Sequence, residues 1–202
     1  MDIVKKNILS NTIKTKITND YLISKPNLEN LEFVSQISKI FKIKEKFFLK
    51  AVNTFKGLTH RNEIFLKKNK TTFINDSKAT SFESTRHALK NNKNIYWIFG
   101  GLPKTGDKFN FQGIASNIIK SFIIGKKTSY FKKKLTKKIK YKISFNLNNA
   151  IKDIFKELLF KKKEEATVLL SPASASYDQF NNFIDRGNQF KKITIKYAKK
   201  FL

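Results

Sequence analysis

The sequence predicts an α/β fold, a Rossmann-like domain with a mostly parallel sheet. The segments 95–99 and 167–170 are almost uninterrupted apolar runs, which is typical of strands covered by helices on both faces. From residue 62 onward, strand-like and helix-like segments alternate at the spacing of βαβ units, whose crossovers are right-handed. No GxGxxG fingerprint occurs in the 202 residues, so the pattern predicts no bound dinucleotide.

Hydrophobic periodicity and turn residues locate the individual elements. The predicted strands lie at 63–67, 72–75, 94–99, 121–124, 139–145 and 166–170. The helices predicted between and after them lie at 81–91, 112–120, 128–136, 147–161 and 178–200. Residues 1–25 alternate loosely and predict one or two strands. Two amphipathic helices follow at 26–41 and 44–55, with Asn27 as N-cap of the first and Gly57 ending the second.

The charge balance is the unusual feature of the composition. The formal net charge is +27, yet only three of the 42 basic residues are arginine. Such an excess suggests a nucleic-acid or anionic membrane partner, whereas nucleic-acid readers rely on arginine for bidentate contacts. Lysine, asparagine, isoleucine and phenylalanine are abundant together, as an AT-rich coding sequence would produce. Compositional drift is therefore the favoured explanation, and we do not expect a nucleic-acid partner.

Lysine clusters at 132–134, 137–138 and 161–163 keep an alternative open. Interleaved with Tyr130, Phe131 and Tyr141, they have the character of an RNA-binding patch. Charge runs of this kind are more often solvated helix faces.

The remaining composition restricts the class of protein. The 40% hydrophobic content argues against disorder. There is no cysteine, which excludes disulfides and thiolate metal sites. His60 and His87 are the two histidines, too few for a histidine-based zinc site, so we predict no metal site on this chain. The first residues lack the apolar core of a signal peptide, and no apolar run approaches about 18 residues. We therefore expect a cytoplasmic protein without a membrane span.

Polar groups follow the predicted strand at 72–75, directly before a helix. A strand that ends this way places side chains and free N–H groups at the carboxyl edge of the sheet, where open α/β folds bind anionic ligands. Asp76 suits a ribose hydroxyl or a metal, Lys78 a phosphate or carboxylate, and Thr80 a helix cap or a ligand. Ordinary turn and capping chemistry is the alternative interpretation.

Two further loops follow buried strands. Gly100 and Gly101 permit close approach of a backbone or ligand, and they precede Lys104. The segment 171–176 places small hydroxyl residues before a helix, a setting fit for a carboxylate. A plain Gly-rich turn remains the alternative for the first loop. Neither GxxxxGK[ST] nor GxSxG occurs in the chain, which argues against a Walker loop and a serine hydrolase.

Taken in the order in which they occur along the chain, the motifs resemble the Mur ligase family, above all its D-glutamate-adding members. NDSKAT at 75–80 resembles the opening of the family's C-terminal domain, and the stretches 57–63, 100–104, 170–180 and 186–190 also agree. The resemblance covers about residues 26 to 190. It implies that 1–58 is the end of a central ATP-binding domain and that 59–202 is the C-terminal, amino-acid-binding domain.

The resemblance implies ATP-dependent, ADP-forming addition of D-glutamate to UDP-N-acetylmuramoyl-L-alanine in peptidoglycan synthesis. It assigns to the nucleotide the residues His60, Arg61, Asp76 and Lys78. It assigns to D-glutamate the residues Thr80, Lys104, Ser176 and Phe183. It transfers no catalytic residue to this chain.

The phosphate loop, magnesium ligands and modified lysine of the family's central domain have no counterpart in the sequence. ATP and Mg²⁺ would thus be held mainly by missing domains, supplied in cis or in trans. We expect a fragment or one half of a split enzyme, inactive alone. A basic nucleic-acid-binding α/β protein and an inactive ligase remnant remain the alternatives.

Overall fold

A computed structural model describes residues 11–19, 22, 25–160 and 164–202. The chain divides into two compact units, Met1–Gly57 and Leu58–Leu202. In the first unit lie helices α1 (Asn11–Lys14), α2 (Lys25–Ile40) and α3 (Glu45–Thr54). Its small core contains Ile17, Leu31, Phe48 and Val52. The assignment of this unit to a central ATP-binding domain stays a prediction.

The first unit corrects two local predictions. A strand through residues 13–17 is wrong, because α1 and a turn occupy this stretch and Ile17 packs into the core. Asn27 is not an N-cap, since α2 already begins at Lys25. The predicted strand at 21–23 lies mostly outside the described residues. The two amphipathic helices are confirmed.

The second unit contains a six-stranded sheet in the order β1-β2-β6-β3-β4-β5. Its strands are β1 (Glu63–Lys68), β2 (Thr71–Asn75), β3 (Ile95–Phe99), β4 (Ile118–Ile124), β5 (Tyr141–Phe145) and β6 (Ala166–Leu170). Among these six strands of the described residues, β1 at one edge pairs antiparallel to β2, and the other strand pairs are parallel. The predicted α/β class and mostly parallel sheet are therefore confirmed.

Helices cover both faces of this sheet. They are α4 (Phe82–Asn91), α5 (Thr128–Lys134), α6 (Leu147–Phe160) and α7 (Phe183–Phe201). Because side chains alternate along a strand, Tyr96 and Ile98 of β3 pack towards α6 and α7, whereas Trp97 and Phe99 pack towards α4 and α5. All five residues of β3 are buried, as its apolar run predicts. No helix within the described ranges is long and apolar enough to cross a bilayer.

Two helix predictions in the second unit need correction. A helix at 112–120 is wrong: the stretch is a loop with one 3-10 turn, Ala115–Asn117, that leads into β4. Phe111, Ile114 and Ile118 have helical spacing but pack individually into the core. The helix predicted at 178–200 begins only at Phe183, where Asn182 caps it by accepting a hydrogen bond from the Asp185 N–H.

Candidate functional site

The loops that follow β2, β3 and β6 lie together at the carboxyl edge of the sheet, since these strands are adjacent and parallel. The loop after β3 pairs with the loop after β6 through two hydrogen bonds of 3.0 Å between the backbones of Leu102 and Ala175. Gly101, at φ +142°, makes this approach possible, because a Cβ there would collide with the Ala175 carbonyl oxygen. The three loops form one continuous surface.

His60 is buried beside this edge, with 5% of its surface exposed. The Asn75 amide nitrogen donates to its Nδ1 at 2.9 Å, while the Asn75 oxygen accepts from the Ser77 N–H. These bonds fix the amide orientation and place the imidazole proton on Nε2. Burial, followed by the nearby Lys191 ammonium, lowers the pKa of His60. The imidazole is therefore a neutral group at neutral pH.

Glu63 connects the start of β1 to the same cluster. Its carboxylate accepts from the His60 N–H at 3.0 Å, from Asn75 at 3.1 Å and from Lys191 at 3.0 Å. Burial would raise the pKa of Glu63, but the hydrogen bonds from His60 and Lys191 leave it lowered. Gly187 lies directly beneath, since a Cβ on it would collide with His60 Nδ1.

Lys78 and Phe183 meet at the exposed rim of this cluster. The Lys78 ammonium lies 4.1 Å from the centre of the Phe183 ring, within the range of a cation–π contact. The same ring stands edge-on to His60, with centroids 6.1 Å apart. The Lys78 N–H also donates to the His60 carbonyl at 2.9 Å. Phe183, predicted on the amino-acid side, is thus in contact with two residues predicted on the nucleotide side.

Asp76 connects Asn62, just before β1, to the loop after β6. Its Oδ1 accepts from the Asn62 N–H at 3.0 Å, and its Oδ2 accepts from the Ser171 hydroxyl at 2.7 Å. Burial raises the pKa of Asp76 to about 6, even though both hydrogen bonds and the charge on Arg61 favour the ionised form. Arg61 itself is exposed.

Arg186 is the central structural residue of the edge, although the sequence prediction did not include it among the site residues. Its guanidinium is fully buried and donates to the Ser77 hydroxyl at 3.0 Å and carbonyl at 2.8 Å. Both terminal nitrogens reach the Ser174 carbonyl at 3.1 Å. Burial lowers the pKa of Arg186 to about 10. One side chain of α7 thus joins the loops after β2 and β6.

The remaining predicted residues lie outside the hydrogen-bonded frame that Arg186 forms with Ser77 and Ser174. Lys104 is exposed and lines a shallow groove of about 400 Å³ with Tyr130 and Lys134. Thr80 is exposed, and it does not cap α4, because Ser81 does so by accepting from the Ser84 N–H. Ser176 is buried, next to the residue that pairs with Leu102. The structure therefore brings together His60, Lys78 and Phe183, whereas Lys104 lies on the loop after β3.

The arrangement suits an anionic ligand at the rim. Lys78 and Arg61 are exposed cations, so their charge is available to phosphate or carboxylate oxygens. A nucleotide phosphate therefore fits these residues. A tightly held Mg²⁺ fits less well, because the described residues contain no group of three acidic or histidine side chains placed to bind a metal.

The residues that sequence reasoning missed share one signal. Asn75, Ser171 and Arg186 all lie within the motifs that carried the resemblance, but each is polar and buried. Polar residues in a motif are first assigned to a ligand. Here they bind other parts of the chain.

Solved structures that resemble this fold include Mur ligases. The chain superposes on MurF from Acinetobacter baumannii with a TM-score of 0.59 at 12% identity, covering 87% of the chain and 38% of that structure. For MurC from Thermotoga maritima the TM-score is 0.57 at 17% identity, with coverage of 87% and 38%. The fold is thus that of a Mur ligase domain, the class that the motifs indicated.

Within that class, the sequence identifies closer relatives. The chain is 38% identical over 175 residues to UDP-N-acetylmuramoylalanine–D-glutamate ligase of Wolbachia sp. subsp. Brugia malayi, which covers 87% of the chain and 35% of that ligase. It is 31% identical over 201 residues to the ligase of the same name from Rickettsia felis, which covers 99% and 45%. No family profile matches the sequence. By fold and by sequence, the chain is a relative of the Mur ligases, and it spans less than half the length of these proteins.

Proposed function

We propose that this chain is the amino-acid-binding portion of a cytoplasmic ligase that adds D-glutamate to UDP-N-acetylmuramoyl-L-alanine in peptidoglycan precursor synthesis. One observation carries the proposal. Motifs that lie far apart in the sequence converge on a single edge of the sheet, in a chain similar along most of its length to D-glutamate ligases.

In this proposal the chain binds the nucleotide and D-glutamate and orients them for the reaction. Arg61 and Lys78 bind nucleotide phosphates at the rim, while Lys104 pairs with a carboxylate of D-glutamate, helped by Thr80, Ser176 and Phe183. The neutral His60 and the carboxyl of Asp76 hold residues 60–62 against the loop after β2. ATP supplies the phosphoryl group that activates the substrate carboxylate for attack by the D-glutamate amine. Ordering the amino acid and excluding water are the catalytic effects that this portion provides.

The first unit supports the need for further ligase domains. Four of its large apolar side chains are mostly exposed: Phe33 at 68%, Ile40 at 75%, Phe41 at 74% and Phe47 at 56%. Apolar groups exposed in such number mark a surface that another protein part covers. We propose that this part contains the phosphate loop, holds Mg²⁺, and acts in cis or in trans. The chain alone would then be inactive.

The test is D-glutamate-dependent formation of ADP from ATP and UDP-N-acetylmuramoyl-L-alanine. The chain is assayed alone and after mixing with the portion of the Rickettsia felis ligase that it does not match. We expect turnover only in the mixture. Lys104→Ala should reduce kcat/KM for D-glutamate by about 100-fold, because a charged hydrogen bond to a carboxylate is lost.

Lys137→Ala is the matched control, since it removes one exposed lysine from a loop distant in sequence from the motif at 100–104. It should leave turnover unchanged. If both variants lose activity equally, the assigned role of Lys104 is wrong. If no mixture is active and the chain does not bind D-glutamate in a direct titration, the proposed function is wrong.

A further inference from the structure

A basic groove runs between α6 and α7, on the sheet face away from α4 and α5. Its volume is about 690 Å³. Five lysines line it, two on α6 and three on α7: Lys152, Lys156, Lys192, Lys196 and Lys200. The spacing of four residues along each helix places them in rows on one side. The site described above does not use this groove.

The charge of the groove is not compensated by the helices that form it. The acidic residues of α6 pair elsewhere: Asp153 with Lys142 at 2.8 Å, and Glu157 with Lys120 at 2.6 Å. Asp185 of α7 instead accepts hydrogen bonds from Asn181 and Gln189 near the start of that helix. In the part of the chain that the structure describes, none of the five groove lysines forms an ion pair.

The floor of the groove is apolar and recessed. Phe155 is buried, and Tyr197 packs on it with ring centroids 5.5 Å apart. Phe201 stacks on Tyr197 at 5.7 Å and remains 36% exposed. A concave apolar floor between two rows of cations is complementary to a helix with one apolar face and acidic flanks.

Other anionic partners fit this shape less well. A bilayer is flat and takes apolar groups that protrude, whereas Phe155 is buried while the lysines beside it are exposed. Single-stranded nucleic acid needs free aromatic faces for base stacking. Phe155 offers none, because its ring stacks on Phe73 of the sheet at 5.8 Å and also contacts Tyr197. A protein helix needs neither.

We propose that the groove between α6 and α7 binds an acidic amphipathic helix of a partner protein. The apolar face of that helix contacts Tyr197 and Phe201, and its carboxylates pair with the lysine rows. This interaction surface is separate from the proposed ligase function and stands or falls independently of it.

The probe is a labelled synthetic helix of about 18 residues, with leucines at i, i+3, i+4 and i+7 and glutamates on both flanks. Its binding to the full chain is followed by fluorescence anisotropy at low and at physiological ionic strength. A scrambled peptide of the same composition is the control ligand. We expect the amphipathic peptide to bind at least tenfold more tightly than the scrambled one, because only its apolar face matches the floor.

Two double charge reversals distinguish binding in the groove from a general effect of the net charge. K156E with K196E changes both rows of the groove, and K137E with K138E makes the same change of net charge at exposed residues outside it. The first pair should weaken peptide binding at least tenfold and the second less than twofold. Equal weakening by both pairs would overturn the proposal, as would equal binding of the scrambled peptide.

The apolar floor has its own matched pair. Phe201→Ser removes a ring from the groove, whereas Phe160→Ser removes a 90% exposed ring at the end of α6 that does not line it. Only Phe201→Ser should reduce peptide affinity, by about tenfold. If oligouridylate, phosphatidylglycerol vesicles or a second copy of the chain binds in a way that K156E with K196E abolishes, while the peptide does not bind, the occupant proposed here is wrong.

Discussion

The loops at the carboxyl edge differ in how firmly the fold holds their polar groups. In the loops after β2 and β6, Asp76, Ser77 and Ser174 are buried and hydrogen-bonded to residues of other loops or of α7. In the loop after β3, Lys104 is exposed and its side chain extends towards solvent at a shallow groove. The same edge thus combines an internally bonded frame with a lysine that the fold does not require.

This difference separates residues that build the site from those that are free to bind a ligand. A buried polar group costs stability when its partner is removed, whereas an exposed lysine has little effect on folding. Stability measurements can therefore sort the motif residues without any substrate. The frame residues should show large effects and the exposed ones small effects.

Arg186→Ala should have the largest effect. It leaves the carbonyls of Ser77 and Ser174 without their donor and opens a cavity where a fully buried side chain lay. We expect a loss of about 3–5 kcal/mol in the free energy of unfolding. Urea denaturation followed by circular dichroism measures it.

Arg86→Ala is the matched control for that experiment. Arg86 also donates to two carbonyls, those of Asn110 and Gln112, but these bonds are exposed. Its removal should cost no more than about 1 kcal/mol. Equal losses from the two substitutions would show that the burial of an arginine's hydrogen bonds does not determine how much its removal destabilises the fold.

Asp76→Asn should have an effect that depends on pH. Burial raises the pKa of Asp76 from 3.8 to about 6 in the folded chain, so the folded carboxyl holds its proton to higher pH than the unfolded one. As pH rises through this window, the wild-type chain loses stability that the asparagine variant keeps, because an amide does not ionise. From pH 4.5 to 7.5, the unfolding free energy of the variant should rise by about 2 kcal/mol relative to wild type.

Urea titrations at four pH values across that range check the sign. The asparagine can keep both contacts, with its oxygen accepting from the Asn62 N–H and its nitrogen donating to Ser171. A difference that is constant with pH would mean that Asp76 titrates in the folded chain as it does in the unfolded one.

Substitutions at the rim should have the smallest effects. Lys104→Ala should change the free energy of unfolding by less than about 0.5 kcal/mol. Lys78→Ala removes a cation–π contact with Phe183 and should cost about 0.5–1 kcal/mol. Thermal melts of both variants measure these changes. If Lys104→Ala lowered the free energy of unfolding by more than about 2 kcal/mol, Lys104 would be a residue that the fold requires.

The fold was largely predictable because its central strands are buried on both faces. The continuous apolar residues of β3 and β6 lead directly to a covered parallel sheet. The failure at 112–120 has a physical cause. Phe111, Ile114 and Ile118 repeat with helical spacing, but each enters the core from an irregular loop, and periodicity cannot distinguish the two arrangements.

The site was predictable only in part. The sequence placed the motif loops at one edge, since loops that follow parallel strands must meet there. It did not predict the burial of Arg186, because this depends on carbonyls of Ser77 and Ser174 that are aligned only when the loops are folded together. Whether a motif residue serves the fold or a ligand is a property of such tertiary contacts.

The position of β6 has a consequence for how the protein is made. This strand lies between β2 and β3 in the sheet although it is the last to be synthesised. A nascent chain therefore carries the apolar β3 for about 70 further residues, several seconds of translation, before its neighbour emerges from the ribosome. Arg186 emerges later still. A product terminated before residue 166 would keep Trp97 and its neighbours without their central strand, as a substrate for chaperones and proteases.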